Sequence, residues 1–440
     1  MIEYVLKGET KMKTADLIRY IEDGKLSDRL ISIYIDDSKI KYQTKRYIAA
    51  VKKYTELFSD SEDYDDDVCI ISAPGRTEVC GNHTDHQRGE VLAASINDDA
   101  IAIVGNSNSV NIMSEGYPMI SFSIDDISKN DNEEGTTVAL IKGVLAGCKD
   151  RGFSIGGFNA YITSDVLGGS GLSSSAAFET VIGNVISNLY NDGKIDAVTI
   201  AKIGQYAENH YFGKPCGLMD QMACSVGGLC HIDFASPEEP VIESIDVSLD
   251  EYGYSLCITD TKGSHADLTP DYAAVPSEMK SIASYFGKNV LKELNENDVL
   301  ENINSLREKY GDRAVLRAFH FYEENIRVKT AAEALKDHDF NSFLDNISKS
   351  GNSSYKYLQN VFTTHDITHQ NVSIALCISE MVLGDEGGVA RVHGGGFAGT
   401  IQAFVKNEFV SKYKDSMDSV FGEGACAVLK IRKYGGIRVI

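Results

Sequence analysis

The stretch 168-GGSGLSSSAAFET-180 sets three glycines and then three consecutive serines directly before a run of helical character. Gly168, Gly169 and Gly171 lack Cβ atoms, so the backbone can take positive φ and lie close against a ligand. A helix beginning near Ser174 presents unpaired N–H groups and the positive end of its dipole, which together hold an anion without a cationic side chain. Ser173, Ser174 and Ser175 add hydroxyls able to cap that helix, touch a phosphate oxygen or ligate Mg2+. No lysine stands here, so the pattern G-x-x-x-x-G-K-[ST] is not met, and a plain N-cap after a flexible turn is the other reading of the same residues. Upstream, 73-APGRTEVCGNHTDHQRGEVLAASI-96 gathers Arg76, Asn82, His83, Asp85 and His86 between apolar runs. Polar side chains at that density can hydrogen-bond a polyhydroxylated ligand. Downstream, 217-GLMDQMACSVGGL-229 places one carboxylate, Asp220, between Met219 and Met222. A partly buried carboxylate needs a partner, and Arg76 is the candidate.

The elements that must position these groups are of mixed type. In 40-IKYQTKRYIAAVKKYTELF-58, Ile40, Tyr47, Val51, Tyr54 and Phe58 recur at helical spacing and predict one apolar stripe. The acidic run 59-SDSEDYDDD-67 lacks the glycine and terminal Glu of a calcium loop and reads as a solvated linker. From Val68 the pattern turns to short β-type runs, 68–73, 91–96 and 100–105, with Arg76 expected in a loop. A helix is predicted at 137–149, a strand at 158–166, helices at 174–190 and 194–211, and strands at 228–234 and 254–260. A mostly helical stretch then runs from about 276 to 386, followed by glycine-rich 391-RVHGGGFAGTIQAFV-405 and a last strand at 425–434. Strands interleaved with helices argue α/β or α+β.

Bulk composition bounds the partners. The 440 residues exceed one ordinary core, so two domains are expected, with a boundary near 236-SPEEP-240. The 64 acidic against 42 basic residues give a net charge of −22. Such a surface repels nucleic acid and anionic membrane, and a small diffusing substrate suits it better. Nine cysteines, among them Cys216, Cys224 and Cys230 beside His231, match no zinc spacing and read as reduced thiols. No run approaches 18 apolar residues and the start has no signal-like segment, so a cytoplasmic setting is expected.

Taken in order, 74-PGRTEVCGNHTDHQRGEVL-92, 169-GSGLSSSAA-177 and 391-RVHGGGFAGT-400 resemble the signature motifs of the GHMP small-molecule kinases, and within them the galactokinase family. The stretches 205-QYAENHYFGKPCGLMDQ-221 and 263-GSHADLTPDYAAVPSEM-279 are galactokinase-like too, and the resemblance spans about residues 68–434. It implies an α+β, two-domain GHMP kinase fold with the active site in the cleft between the halves. The division would be a helical region and acidic linker at 1–65, an N-terminal kinase domain at 66–240 and a C-terminal kinase domain at 241–440. The implied activity is transfer of the γ-phosphoryl of ATP, with Mg2+, to the anomeric hydroxyl of galactose. By position, Asp220 matches the catalytic Asp and Arg76 the Arg beside it. Asn82, His83, Thr84 and Asp85 fall on the sugar-binding stretch, and Tyr272 on the Tyr lining the sugar site. Gly169, Ser170, Gly171, Leu172, Ser173, Ser174 and Ser175 fall on the nucleotide phosphate loop, while Ser175 and Glu208 match the Mg2+ ligands.

Four positions depart from the family. Asn82 stands where galactokinases usually have Glu, His86 where they have Tyr, Ala93 near a Pro and His393 in place of Thr. Asn82 bears on sugar identity, because a charged acceptor holds a hydroxyl by about 1 kcal/mol more than a neutral one. Glu at 82 is then expected to raise kcat/KM for galactose. A kinase for another hexose, a 2-acetamido sugar or arabinose is the alternative, and a sugar sensor that has lost catalysis is a third reading. The full set Ser173 to Ala177 together with Asp220 ranks the sensor low.

Overall fold

A computed structural model of the chain describes residues 11–59, 67–166, 171–263 and 268–440. Thirteen strands occur among them: β1 Met12–Lys13, β2 Asp67–Cys80, β3 Glu90–Ser107, β4 Ser109–Ser114, β5 Ile120–Ser123, β6 Gly157–Ser164, β7 Leu229–Asp233, β8 Val241–Ile245, β9 Tyr254–Asp260, β10 Gly388–Val392, β11 Thr400–Lys406, β12 Cys426–Leu429 and β13 Ile437–Arg438. Nine of these form one sheet with the path β1-β2-β3-β6-β4-β5, to which β13 adds on β2 and β7-β8 on β3.

Residues 68–71 are apolar without a break because both faces of β2 are covered, and successive side chains point to opposite faces. Val68 and Ile70 pack with Ile101 and Ile103 against the N-terminal helices α1 Thr14–Glu22, α2 Ser27–Tyr34 and α3 Asp37–Phe58. Cys69, Ile71 and Ala73 pack with Ala102 and Val104 against α4 Thr137–Asp150, α5 Ser174–Tyr190 and α6 Ala197–Tyr206. The stripe of α3 faces the sheet as expected, with Tyr47, Val51 and Tyr54 buried. Within the acidic run, residues 60–66 lie outside the described residues.

Two sequence expectations are corrected here. The runs 91–96 and 100–105 are one strand, β3, and the run 68–73 continues as β2 through Pro74, Gly75 and Arg76 to Cys80. The ladder between β2 and β3 shifts register between Pro74 and Arg76 and again between Glu78 and Cys80. Pro-Gly thus marks an irregularity inside a strand rather than its end. Polar Asn97 and Asp99 are tolerated inside β3 because each is paired. Asn97 donates to Tyr34 O (3.0 Å), and Asp99 is held by Arg46 (2.7 Å) and Arg432 (3.0 Å).

The remaining four strands form an antiparallel sheet ordered β10-β11-β9-β12. A shared core ties the two sheets: Leu92, Ala94, Ile96 and Leu172 cluster with Leu256, Ile258, Phe404 and Leu429, and with Val328, Leu335 and Phe343. β8, just past residue 240, pairs with β7 in the first sheet. At the other end of the chain, β13 pairs Ile437 with Ser72 on β2. No described helix is long and apolar enough to cross a membrane. The nine cysteines are unpaired; Cys216 is half-buried, Cys377 exposed and the others buried.

Candidate active site

Arg76 leaves β2 just after the register shift and meets a carboxylate 144 residues on. Its Nε donates to Asp220 Oδ1 (2.7 Å) and its Nη2 to Oδ2 (2.8 Å), a bidentate fork. Asp220 stands in the first turn of α7 Met219–Val226, where the helix dipole favours a negative charge. The same guanidinium donates through Nη1 to Gly171 O (2.5 Å), and the Arg76 backbone N–H donates to Leu172 O (3.1 Å). Ser173 Oγ donates to Asp220 Oδ2 (2.5 Å). Desolvation pushes the Asp220 carboxyl up, but the Arg76 charge with its hydrogen bonds and the Ser173 bond outweigh it, holding the group below the ordinary value of 3.8. A carboxylate kept ionised and still about one-third open can take a proton from a bound ligand.

Of the serine loop, Gly169 and Ser170 lie outside the described residues. Gly171 has φ +71°, and a Cβ there would stand 2.4 Å from Thr400 Oγ1, so the loop sits directly against the start of β11. Leu172 turns inward and is buried in the shared core. Ser173 adopts a left-handed conformation (φ 58°) and caps nothing with its side chain, having given its hydroxyl to Asp220. Ser174 and Ser175 form the first turn of α5, an end suited to an anion.

The sugar-type signature forms the 81–89 loop between β2 and β3. His83 Nε2 donates to Gly395 O (3.1 Å), and burial with the neighbouring His86 drives its pKa down to about 3, so the ring is neutral with Nδ1 left as an acceptor. Asp85 Oδ1 accepts from the His86 backbone N–H (2.9 Å), while Oδ2 lies where a Cβ on Gly217 would be 1.7 Å away. Only glycine lets the segment leading to Asp220 pass this carboxylate. Tyr272, on α8 Thr269–Tyr285, donates its hydroxyl to Gly396 O (2.9 Å) and packs edge-on to Phe397 at 5.4 Å. The glycine turn at 394–396 therefore touches both the signature loop and Tyr272.

Asn82 and Thr84 do not present their side chains as ligand contacts, which corrects the reading of both. Each is 0% exposed. Thr84 Oγ1 donates to Gly81 O (2.9 Å) and Glu90 O (2.6 Å), closing its own loop. Asn82 bonds only protein groups, with Nδ2 toward Glu78 and Oδ1 toward Asn360 (2.7 Å). Their place in a signature motif shows in the sequence, but the direction of their side chains does not.

Glu208 lies in a π-helical turn, Ala207–Phe212, a device common at functional positions. Its Oε1 accepts from Lys214 Nζ (3.0 Å) and its Oε2 from Gln221 Nε2 (2.9 Å), linking it to the neighbour of Asp220. Gln221 Nε2 also reaches Glu179 Oε2 (3.1 Å), whose carboxyl burial and then Glu208 push well above the usual range. Sequence reasoning missed Lys214, Gln221, Glu179 and Glu78; Lys214 and Gln221 were visible inside 205–221, whereas Glu179 reads as an ordinary helix residue. His393 is buried and neutral: its Nε2 accepts from the Glu78 N–H (3.2 Å), so Nδ1 carries the proton and donates to Thr400 Oγ1 (2.9 Å).

The chain is similar to known proteins in both sequence and fold. The family described as GHMP kinases N terminal domain matches residues 139–228, and the galactokinase galactose-binding signature matches residues 52–106. The galactokinase of Lactobacillus helveticus is 28% identical over 359 residues, covering 80% of this chain and 89% of that protein. The galactokinase of Clostridium tetani is 29% identical over 358 residues, covering 80% and 87%. In fold, the chain is similar to the crystal structure of Lactococcus lactis galactokinase complexed with galactose, with a TM-score of 0.74 at 24% identity over 88% of this chain and 98% of that one. A mevalonate kinase structure shares the fold at a TM-score of 0.58 and 16% identity, covering 83% and 99%.

Proposed function

We propose that this chain is a galactokinase of the GHMP kinase superfamily, transferring the γ-phosphoryl of ATP to the anomeric hydroxyl of galactose to give galactose 1-phosphate and ADP. The observation that carries this reading is the Arg76–Asp220 fork, which ties the serine loop to the stretch matched by the galactose-binding signature. In the reaction Asp220 accepts the proton of the anomeric hydroxyl, whose oxygen forms the new bond to phosphorus while the bond to the ADP oxygen breaks. Arg76 keeps Asp220 ionised and faces the charge on the transferring group. Asp85 and His83 orient the sugar, Tyr272 lines its site, and the start of α5 with Gly171, Ser173, Ser174 and Ser175 receives the phosphates. The remaining loop positions, Gly169 and Ser170, belong to the same proposal, with Leu172 anchoring the loop from the core.

The residues present fit Mg2+. Ser175 offers a hydroxyl and Glu208 a carboxylate held in place by Lys214 and Gln221, a short set of hard oxygens of the kind this ion takes from protein. When bound, the ion neutralises charge on the phosphate oxygens. Ser175 and Glu208 are proposed to hold it, and the Lys214 ammonium to yield its contact. The 66–240 and 241–440 division and a cytoplasmic setting are part of the same reading.

A kinase for a related sugar is the second reading, because a neutral, buried Asn82 leaves Asp85 as the carboxylate of the 81–89 loop. ADP release measured across a panel of aldoses separates the two, with galactose expected to be the best acceptor. Asp220→Asn is expected to lower the rate by about 10²–10⁴ with galactose binding retained, the usual worth of a positioned base. Binding of galactose with no turnover of any sugar by the parent chain would instead identify a sensor.

A further inference from the structure

The Asn82 amide is closed off from solvent. Its Nδ2 donates to Glu78 Oε1 (2.9 Å) and Oε2 (3.2 Å) and to Gly394 O (2.6 Å). Its Oδ1 accepts from Asn360 Nδ2 (2.7 Å) and Ser354 Oγ (3.3 Å). The orientation of the amide is thereby fixed, because the Gly394 carbonyl only accepts and the Asn360 amino group only donates. Glu78 is in turn held by the fully buried Arg391, whose Nη2 reaches Oε1 (3.1 Å) and whose Nη1 donates to Val79 O (3.0 Å).

We infer that the Glu78–Asn82 pair sets sugar affinity by fixing the 394–396 turn. The link is short. Asn82 holds Gly394 O, Asn360 Nδ2 bridges Asn82 to Gly395 O (3.2 Å), and the next contacts of the turn are His83 on Gly395 O and Tyr272 on Gly396 O. Both amide atoms of Asn82 are matched donor to acceptor, and a buried amide so matched holds one orientation. Replacing Glu78 by an amide allows Asn82 to flip and releases Gly394 O. Glu78 is thus a positioning residue, acting through Asn82 and the turn, and this inference rests on the galactokinase reading.

The test is an isosteric cycle of E78Q, N82D and E78Q/N82D, read by steady-state kinetics and by the thermal shift galactose induces. E78Q is expected to raise KM for galactose at least fivefold, with kcat and KM for ATP within twofold. N82D, which sets two carboxylates and a carbonyl together, is expected to be the most damaged. Adding E78Q to N82D is expected to recover galactose affinity at least fivefold, because it removes the opposed charge. Galactose KM within twofold of the parent in E78Q, additive effects in the cycle, or KM for galactose and ATP rising together would overturn the inference. A parent chain that shows the galactose thermal shift without turnover would overturn the kinase reading alone. The pair is then judged by whether E78Q loses that shift.

Discussion

Asp220 works because two opposing influences leave it charged. Desolvation pushes its carboxyl up, and Arg76 with its hydrogen bonds pulls it below 3.8. The ionised form, and the stability the pair contributes, are therefore complete above the ordinary carboxylate range and are lost as pH falls through the depressed folded value. Arg76→Met keeps bulk but removes the charge, so desolvation is opposed only by the Ser173 bond and the Lys214 charge. The acid limb of kcat is expected to move to higher pH, and a pH–rate profile checks the direction; an unmoved limb would separate Arg76 from the ionisation of Asp220. At this scale the sequence was informative about residue types. Arg76 and Asp220, picked out by motif, meet in the fork, Asp85 stands beside Gly217 and Tyr272 on Gly396, while the meaning of Asn82 was not legible. Glu at 82 looked like an improvement, yet the amide lies 2.9 Å from Glu78, so a second carboxylate there would meet the first. A contact that depends on the path of an irregular strand and turn leaves no periodic trace.

The elements bring the motifs together through close backbone approach. Gly171 needs both its positive φ and its missing Cβ, since Thr400 Oγ1 would stand 2.4 Å from a methyl group. Gly171→Ala adds roughly 1–2 kcal/mol of left-handed strain and pushes the serine loop off β11. About a tenfold loss in kcat/KM for ATP is expected, and it should exceed any loss in binding of galactose; ATP-dependence kinetics beside galactose titrations would show it. Helix α5 was predicted at its observed limits, because glycines and serines before an apolar run signal a helix start. The long strands β2 and β3 were broken up in the sequence reading. Pro74-Gly75 and the polar Asn97 to Asp99 look like turns, and only partners far along the chain make them compatible with a strand.

For the whole molecule, the firmest cross-link is the buried cluster around Asp99. It joins Arg46 and Tyr34 of the N-terminal helices, Ser72 of β2 and Arg432 from the final segment. Asp99→Ala would leave two buried guanidinium groups without their carboxylate, at a cost of about 3–5 kcal/mol. Urea unfolding should show that loss with a single transition, and a change under 1 kcal/mol would mean the cluster is not a common anchor. The sequence reading set residues 1–65 apart as a region of unknown role, since a stripe of apolar residues does not name the surface it covers. That surface is the outer face of the sheet carrying Arg76. The pairing of β13 with β2 has one more consequence. Ser72 meets Arg432 across 360 residues of chain, and at ordinary translation speeds that interval lasts roughly 20–70 s. During this time the nascent polypeptide must carry the strand that bears Arg76 with part of its edge unprotected, so a chaperone that shields that edge on the ribosome should raise the yield of active protein more than one added after release.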